Sequence, residues 1–181
     1  MQMQRGFTLI ELLVLVAIIA ILATVAVPDF STTIKNNRQI SQINSLTTSL
    51  TMARSEAIKT GSEVTVCAGS TIACSGTNWA DGWIIYYNAP LPAGVTTAVL
   101  RVFPAISGNN TFTSSDGSYS FTFLGNGTLT PIPANPLTFT LCDARGAAYA
   151  RAIGLSFTGR AEAAVTVGYE IDGSTPLVCP P

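Results

Sequence analysis

"RGFTLIELLVLVAIIAILATVAVP", residues 5–28, carries one carboxylate, Glu11, at the head of an otherwise unbroken apolar run. From Phe7 to Val27 a helix rising 1.5 Å per residue would measure about 30 Å, the thickness of a bilayer's hydrocarbon core. The stretch reads as a membrane span. A cleaved secretory signal has a shorter apolar core ending in small residues, and "ATVAVPDF" (residues 23–30) is a poor version of that ending. Arg5 ahead of the run meets the positive-inside expectation, which places the rest of the chain outside the cytoplasm. An acid within a span costs about 2.5–3.5 kcal/mol at the centre and less near the interface, so Glu11 calls for a partner. Scission between Gly6 and Phe7 would free an α-amine within one helical turn of it. A neighbouring copy offset slightly along the helix axis would present the same amine.

Composition narrows the remaining choices. The 181 residues allow one domain and a modest extension, and 10% charged residues is low for a wholly soluble chain. The excess apolarity is local, because residues 12–28 hold no charge whereas the chain beyond Lys59 is rich in Thr, Ser, Gly, Asn and Pro. The absence of His removes the commonest general base, the commonest metal ligand and every Ser-His or Cys-His pair. No catalytic residue is assigned, and the chain does not read as an enzyme. Asp81, Asp116, Asp143 and Asp172 are scattered, so no calcium site, other metal or cofactor is expected.

Beyond Pro28, whose ring blocks a backbone hydrogen bond and should kink the rod, the helical pattern continues. Ile34, Ile43, Leu46, Leu50, Ala53 and Ala57 recur mostly at three- and four-residue steps as one buried stripe. Lys35, Asn37, Gln42, Ser45, Thr48 and Glu56 form the opposite face. Gly61 is the expected stop. The period then changes to alternation in "EVTVC" (63–67), "GWIIYYN" (82–88), "YSFTFLGNGTL" (119–129), "LTFTLC" (137–142), "AYARAIGLSF" (148–157) and "AAVTVGYEI" (163–171), with Pro, Gly and Asn loops between. The expected fold class is α+β, a long N-terminal helix whose outer half covers an antiparallel sheet.

"RGFTLIELL" resembles the leader of type IV pilins and pseudopilins, a short basic peptide ending in Gly6 and followed by Phe7 and Glu11. The resemblance implies cleavage after Gly6 by a prepilin peptidase, methylation of the Phe7 amine, and pairing of Glu11 with a neighbour's N-terminus during assembly. Pro28 is similar to the helix-bending proline of that family. "ARSEAIKTGSEVTVC", "WADGWIIYYN" and "CDARGAAYARAIGLSFTGRAE" follow in the order of the GspH/FimT group of minor pilins and type II secretion pseudopilins, extending the resemblance over most of the chain. It implies a leader at 1–6, an assembly and transmembrane helix at 7–28, an amphipathic continuation at 29–60 and a periplasmic β-rich domain at 61–181, anchored by a single pass in a bacterial inner membrane. The implied function is a subunit that helps initiate or cap a type IV pilus or a type II secretion pseudopilus. Its implied partners are the prepilin peptidase, other minor and major pilins or pseudopilins, and an inner-membrane assembly platform.

Four Cys downstream of a membrane segment, none in a C-x-x-C pair, suggest disulfides in an exported domain. Three connectivities are open. Cys67 with Cys74 closes a short, sterically easy loop, which leaves Cys142 with Cys179 to tie down the C-terminal tail. The alternative function, a pilus-tip DNA receptor, rests on Arg145, Arg151 and Arg160. One branch of the FimT group resembles DNA-uptake receptors bearing Gly-Arg-x-Arg, where this chain reads Gly159-Arg160-Ala161-Glu162. Past residue 60 seven carboxylates outnumber four Arg with no Lys, a balance that repels phosphate and disfavours nucleic acid as a partner.

Overall fold

The computed structural model describes residues 6–69, 74, 76–133 and 136–180; the side chains at 25–29 also lie outside the description. The chain divides into two compact units, Met1–Arg38 and Gln39–Pro181. Helix α1 (Leu9–Thr60) contributes to both.

In the first unit the apolar side chains have no cover. Leu9, Ile10, Leu12, Leu13, Val14, Leu15, Val16, Ile18, Ile19, Ile21 and Leu22 are each more than half exposed. Among the described residues no helix is long and apolar enough to cross a membrane. The side chains of the last members of the apolar run, Pro28 included, and leader residues 1–5 fall outside the described residues, and the expected kink with them. Ile34, expected in the buried stripe, is 48% exposed.

In the second unit the stripe is real. Ile43, Leu46, Leu50, Ala53 and Ala57 are at most 4% exposed and join one core with Val64, Val66, Phe123, Leu137, Leu141 and Ile153. Each fully buried Leu or Ile contributes about 1.5–3 kcal/mol relative to exposure. The small Ala53 and Ala57 allow the helix backbone close to the strands. Gln42 corrects the expected polar face. It is buried because both ends of its amide are bonded, Nε2 donating to the Ser107 carbonyl at 2.7 Å and Oε1 accepting from Asn110 Nδ2 at 2.7 Å. The helix ends where expected, with Gly61 at φ +67° supplying the left-handed residue that most other side chains resist.

Two antiparallel sheets replace the single sheet read from the sequence. The first runs in the order β3 (Val99–Phe103), β2 (Trp83–Tyr87), β1 (Val64–Ala68), β5 (Ser120–Phe123), β6 (Leu129–Thr130). The second runs β4 (Thr111–Ser114), β7 (Leu137–Cys142), β8 (Arg151–Leu155), β9 (Ala161–Ala163). An aromatic seam joins them. Trp79 stacks on Phe121 of the first sheet at 5.2 Å and meets Phe139 of the second edge-on at 5.4 Å, while Trp83 faces Phe112 at 6.4 Å. Both indole N–H groups find acceptors, Trp79 at the Ser118 carbonyl (2.9 Å) and Trp83 at Ser49 Oγ of α1 (2.8 Å).

Central β1 is buried on both faces. Its outward Thr65 lies within hydrogen-bond distance of Asn88 Oδ1 at 2.8 Å and Thr122 Oγ1 at 2.7 Å. At the edge of this core the Tyr87 hydroxyl donates to Glu56 Oε1 at 2.5 Å. Burial, reinforced by the carboxylate, pushes the Tyr87 phenol up to about 12, and the same hydrogen bond holds Glu56 below the usual carboxylate range.

The expected strand at 163–171 is a correction. Pairing stops at Ala163, and Val165 is 97% exposed. The chain leaves the sheet there. Gly168, at φ +82°, donates its N–H to the Ala150 carbonyl and accepts from Leu177 N, each at 2.8 Å, and Tyr169 keeps only an isolated bridge to Pro176. Leu177 then packs with Cys142, Ala150 and Ala152 in a second small core.

Both disulfides form as expected. Cys67 joins Cys74 with Cα atoms 5.5 Å apart, and Cys142 joins Cys179 at 5.9 Å.

Candidate functional site

The N-terminus of α1 is built by Thr8 and Glu11. The Thr8 N–H donates to Glu11 Oε2 at 2.9 Å, the Thr8 hydroxyl donates to the same oxygen at 3.1 Å, and the Glu11 N–H donates back to Thr8 Oγ1 at 3.3 Å. The Thr8 carbonyl accepts the first helical bond from Leu12 N at 3.3 Å. This is a reciprocal capping box, Thr-x-x-Glu, and it satisfies two amides that a helix otherwise leaves unpaired. Glu11 therefore has a partner inside its own chain. The sequence reading, which looked only for a neighbour's amine, passed over Thr8, although the spacing of Thr8 and Glu11 was the available signal.

Around this cap Phe7, Ile10, Val14, Leu15 and Ile18 line an open depression of about 340 Å³ with Glu11. Gly6 and Phe7 precede the first helical residue, and Phe7 is 87% exposed, so the Gly6–Phe7 bond lies in non-helical chain. Among the described residues Glu11 Oε1 accepts no hydrogen bond, which leaves one carboxylate oxygen available for an outside donor.

The three arginines do not gather into one patch. Arg145 donates through Nη2 to Asp143 Oδ2 at 2.7 Å, reaches Gln39 Oε1 at 3.4 Å, and lies over the Tyr149 ring at 4.5 Å. Arg151 is half-buried at the start of β8, where burial, and secondarily the charge of Arg145, lowers its pKa. Arg160 sits past the other end of β8, where Nη2 meets Glu162 Oε1 at 2.6 Å. Two of the three guanidinium groups thus already hold carboxylates. Glu162, which replaces the second arginine of the receptor-type pattern, is Arg160's counter-ion.

A helix-covered pair of antiparallel sheets, preceded by an apolar helix with no cover and a carboxylate at its head, defines the pilin-like class of filament subunit. A family model described as Type II transport protein GspH matches residues 42–159, and the prokaryotic N-terminal methylation motif matches residues 1–27. The chain belongs to the GspH family of minor pilins and pseudopilins, a family of structural subunits. It is similar to the crystal structure of the type IV minor pilin FimU of Pseudomonas aeruginosa at 26% identity and a TM-score of 0.57, over 71% of this chain and 90% of that one. Among curated relatives, it is 39% identical over 80 residues to the type IV major fimbrial protein FimA of Dichelobacter nodosus, covering 44% of this chain and 49% of that protein. It is 42% identical over 67 residues to a fimbrial protein of Pseudomonas aeruginosa, covering 35% of this chain and 41% of that protein. The chain spans less than half the length of these two curated relatives.

Proposed function

We propose that the chain is a minor subunit that helps initiate or cap a filament, either a type IV pilus or a type II secretion pseudopilus. The observation that carries this reading is the contrast between a closed, disulfide-tied β domain and an N-terminal helix whose large apolar side chains are exposed from Leu9 to Leu22. An uncovered apolar face of that length is stable in lipid or against other apolar helices, and an inner-membrane pool followed by a filament core supplies each in turn. Residues 1–6 act as the leader, 7–28 as the membrane and assembly helix, 29–60 as its amphipathic continuation, and 61–181 as the periplasmic domain.

A prepilin peptidase removes the leader after Gly6 and methylates the Phe7 amine. The Thr8–Glu11 box does not use the Phe7 nitrogen, so it survives cleavage, and Glu11 Oε1 remains to receive a neighbour's N-terminal amine. Sibling pilins or pseudopilins and an inner-membrane assembly platform are the partners this requires.

The test has two parts. N-terminal sequencing of the membrane form should begin at Phe7; a sequence beginning at Met1 would overturn the processing step. Glu11→Ala should leave the amount of membrane-inserted protein unchanged and lower its recovery in sheared filaments at least tenfold, and incorporation at the wild-type level would refute the assembly role.

A further inference from the structure

The outer face of the second sheet, away from α1, is covered only in part by the C-terminal tail. Side chains alternate along β7 and β8, so Leu137, Phe139 and Leu141 face the core with Ile153 and Leu155, while Thr138 pairs across the strands with Gly154 on the outer face. Gly154 has no side chain to fill that face. A Cβ there would sit 2.5 Å from Ile171 Cγ1, so the tail approaches the strand closely at this point. Beside it opens a cleft of about 700 Å³, with Thr138, Leu155 and Ile171 among its walls and Arg160, Glu162, Glu170 and Asp172 around it. A second cleft of about 360 Å³ shares Pro136, Thr138 and Glu170 with the first.

Two polar groups in this cleft are unspent. Thr138 is 8% exposed, and its backbone N–H and C=O are both bonded to Ser115, yet its hydroxyl has no partner among the described residues. Glu170 lines both clefts, and its carboxylate makes no ion pair or hydrogen bond among the described residues. The other charges are committed. Arg160 holds Glu162 at 2.6 Å, and Asp172 accepts four hydrogen bonds from Ser174 and Thr175. Three carboxylates against one guanidinium leave the rim net negative, and its unspent groups are an anion and a hydroxyl over an apolar floor. The missing ligand is therefore a cation on an apolar stem.

We propose that this cleft receives a lysine or arginine side chain carried on a short segment of a neighbouring filament subunit. The aliphatic stem lies against Pro136 and Ile171, and the charged head meets the Glu170 carboxylate and the Thr138 hydroxyl. The volume falls within the range of ligand clefts and exceeds one side chain, which leaves room for the residues flanking it. The filament reading enters only as the source of the partner.

Full-length protein in phosphatidylcholine nanodiscs, labelled at Ile and Leu methyls, is titrated with acetyl-Gly-Ala-Lys-Ala-Gly-amide, with its arginine analogue, and with its norleucine analogue. The two cationic peptides should shift the Ile171 methyls while the neutral one does not. Glu170→Gln should weaken binding at least fivefold and Thr138→Val at least twofold, with methyl signals remote from the cleft unmoved as the control for folding. Equal shifts with norleucine, no shift with any peptide, or unchanged affinity in Glu170→Gln would each overturn the proposal. Because binding is read on a single chain, its failure leaves the assembly role standing, and an assembly failure leaves the cleft standing.

Discussion

Two stretches of α1 are built from the same residue types and meet opposite fates. Between Leu9 and Leu22 the large apolar side chains are 52–81% exposed, whereas Ile43, Leu46, Leu50, Ala53 and Ala57 are 0–4% exposed. Helix propensity does not distinguish them, since both are helical. The difference is the pattern. The first stretch is apolar on every side, so no single layer could cover it. The second confines its apolar residues to one stripe that two sheets close. A helix apolar all round asks for a surrounding medium, and a striped helix asks for one partner surface.

That contrast can be broken from either side. Replacing both Cys142 and Cys179 with Ser frees a loop of 37 residues and should cost the second unit about 4 kcal/mol in the chain-entropy account, read as a lower urea midpoint for a 39–181 fragment. The N-terminal helix should not notice. A loss below about 1 kcal/mol would mean that the two cores hold the tail without the bond.

A smaller effect, about 2 kcal/mol for a hydrogen bond to a charged group, is expected at the Tyr87–Glu56 contact. Glu56 is lowered on folding, so its contribution is present above its ordinary 4.5 and is lost as pH falls through the folded value. Tyr87 is raised from 10 to about 12, so its contribution is present below pH 10 and is lost as pH rises toward 12. Tyr87→Phe should flatten both limbs in urea unfolding measured across pH. An unchanged acid limb would show that the phenol does not hold Glu56 down.

The smallest effect belongs to the first unit. Thr8→Ala should remove about 1 kcal/mol of capping and speed amide exchange at residues 10–12 roughly fivefold in micelles, with the β domain unchanged. Equal exchange rates would mean that the box does not stabilise the helix end.

The sequence disclosed most where a pattern had only one physical solution. The stripe ending at Ala57, the stop at Gly61 and the alternation in β1, β2, β5 and β7 are all legible from spacing alone, even though β1 is buried on both faces. It misled where type was taken for environment. Gln42 was placed outside for being polar, though Asn110 and the Ser107 carbonyl, 65 or more residues away, make its burial cheap. The run Ala163–Ile171 alternates convincingly, yet Ala163 is the last residue of an edge strand and the chain then turns away from it. The second sheet was hidden because β4 is only four residues long, and because the aromatic seam that separates and joins the layers depends on contacts distant in sequence, such as Phe112 with Trp83. At the N-terminus Glu11 was recognised and Thr8 was not, since a search for an intermolecular charge partner overlooks a hydrogen-bonding neighbour three residues away.

The bond between Cys142 and Cys179 has an effect beyond the tail it fastens. Glu170 and Ile171, one bank of the outer cleft, lie on the length of chain between β9 and that bond, and Gly168 and Leu177 lace the same length back to Ala150. The bond therefore closes the loop of chain that carries that bank. Without that bond the far bank would be held by the Gly168 and Leu177 hydrogen bonds and the small core around Leu177 alone.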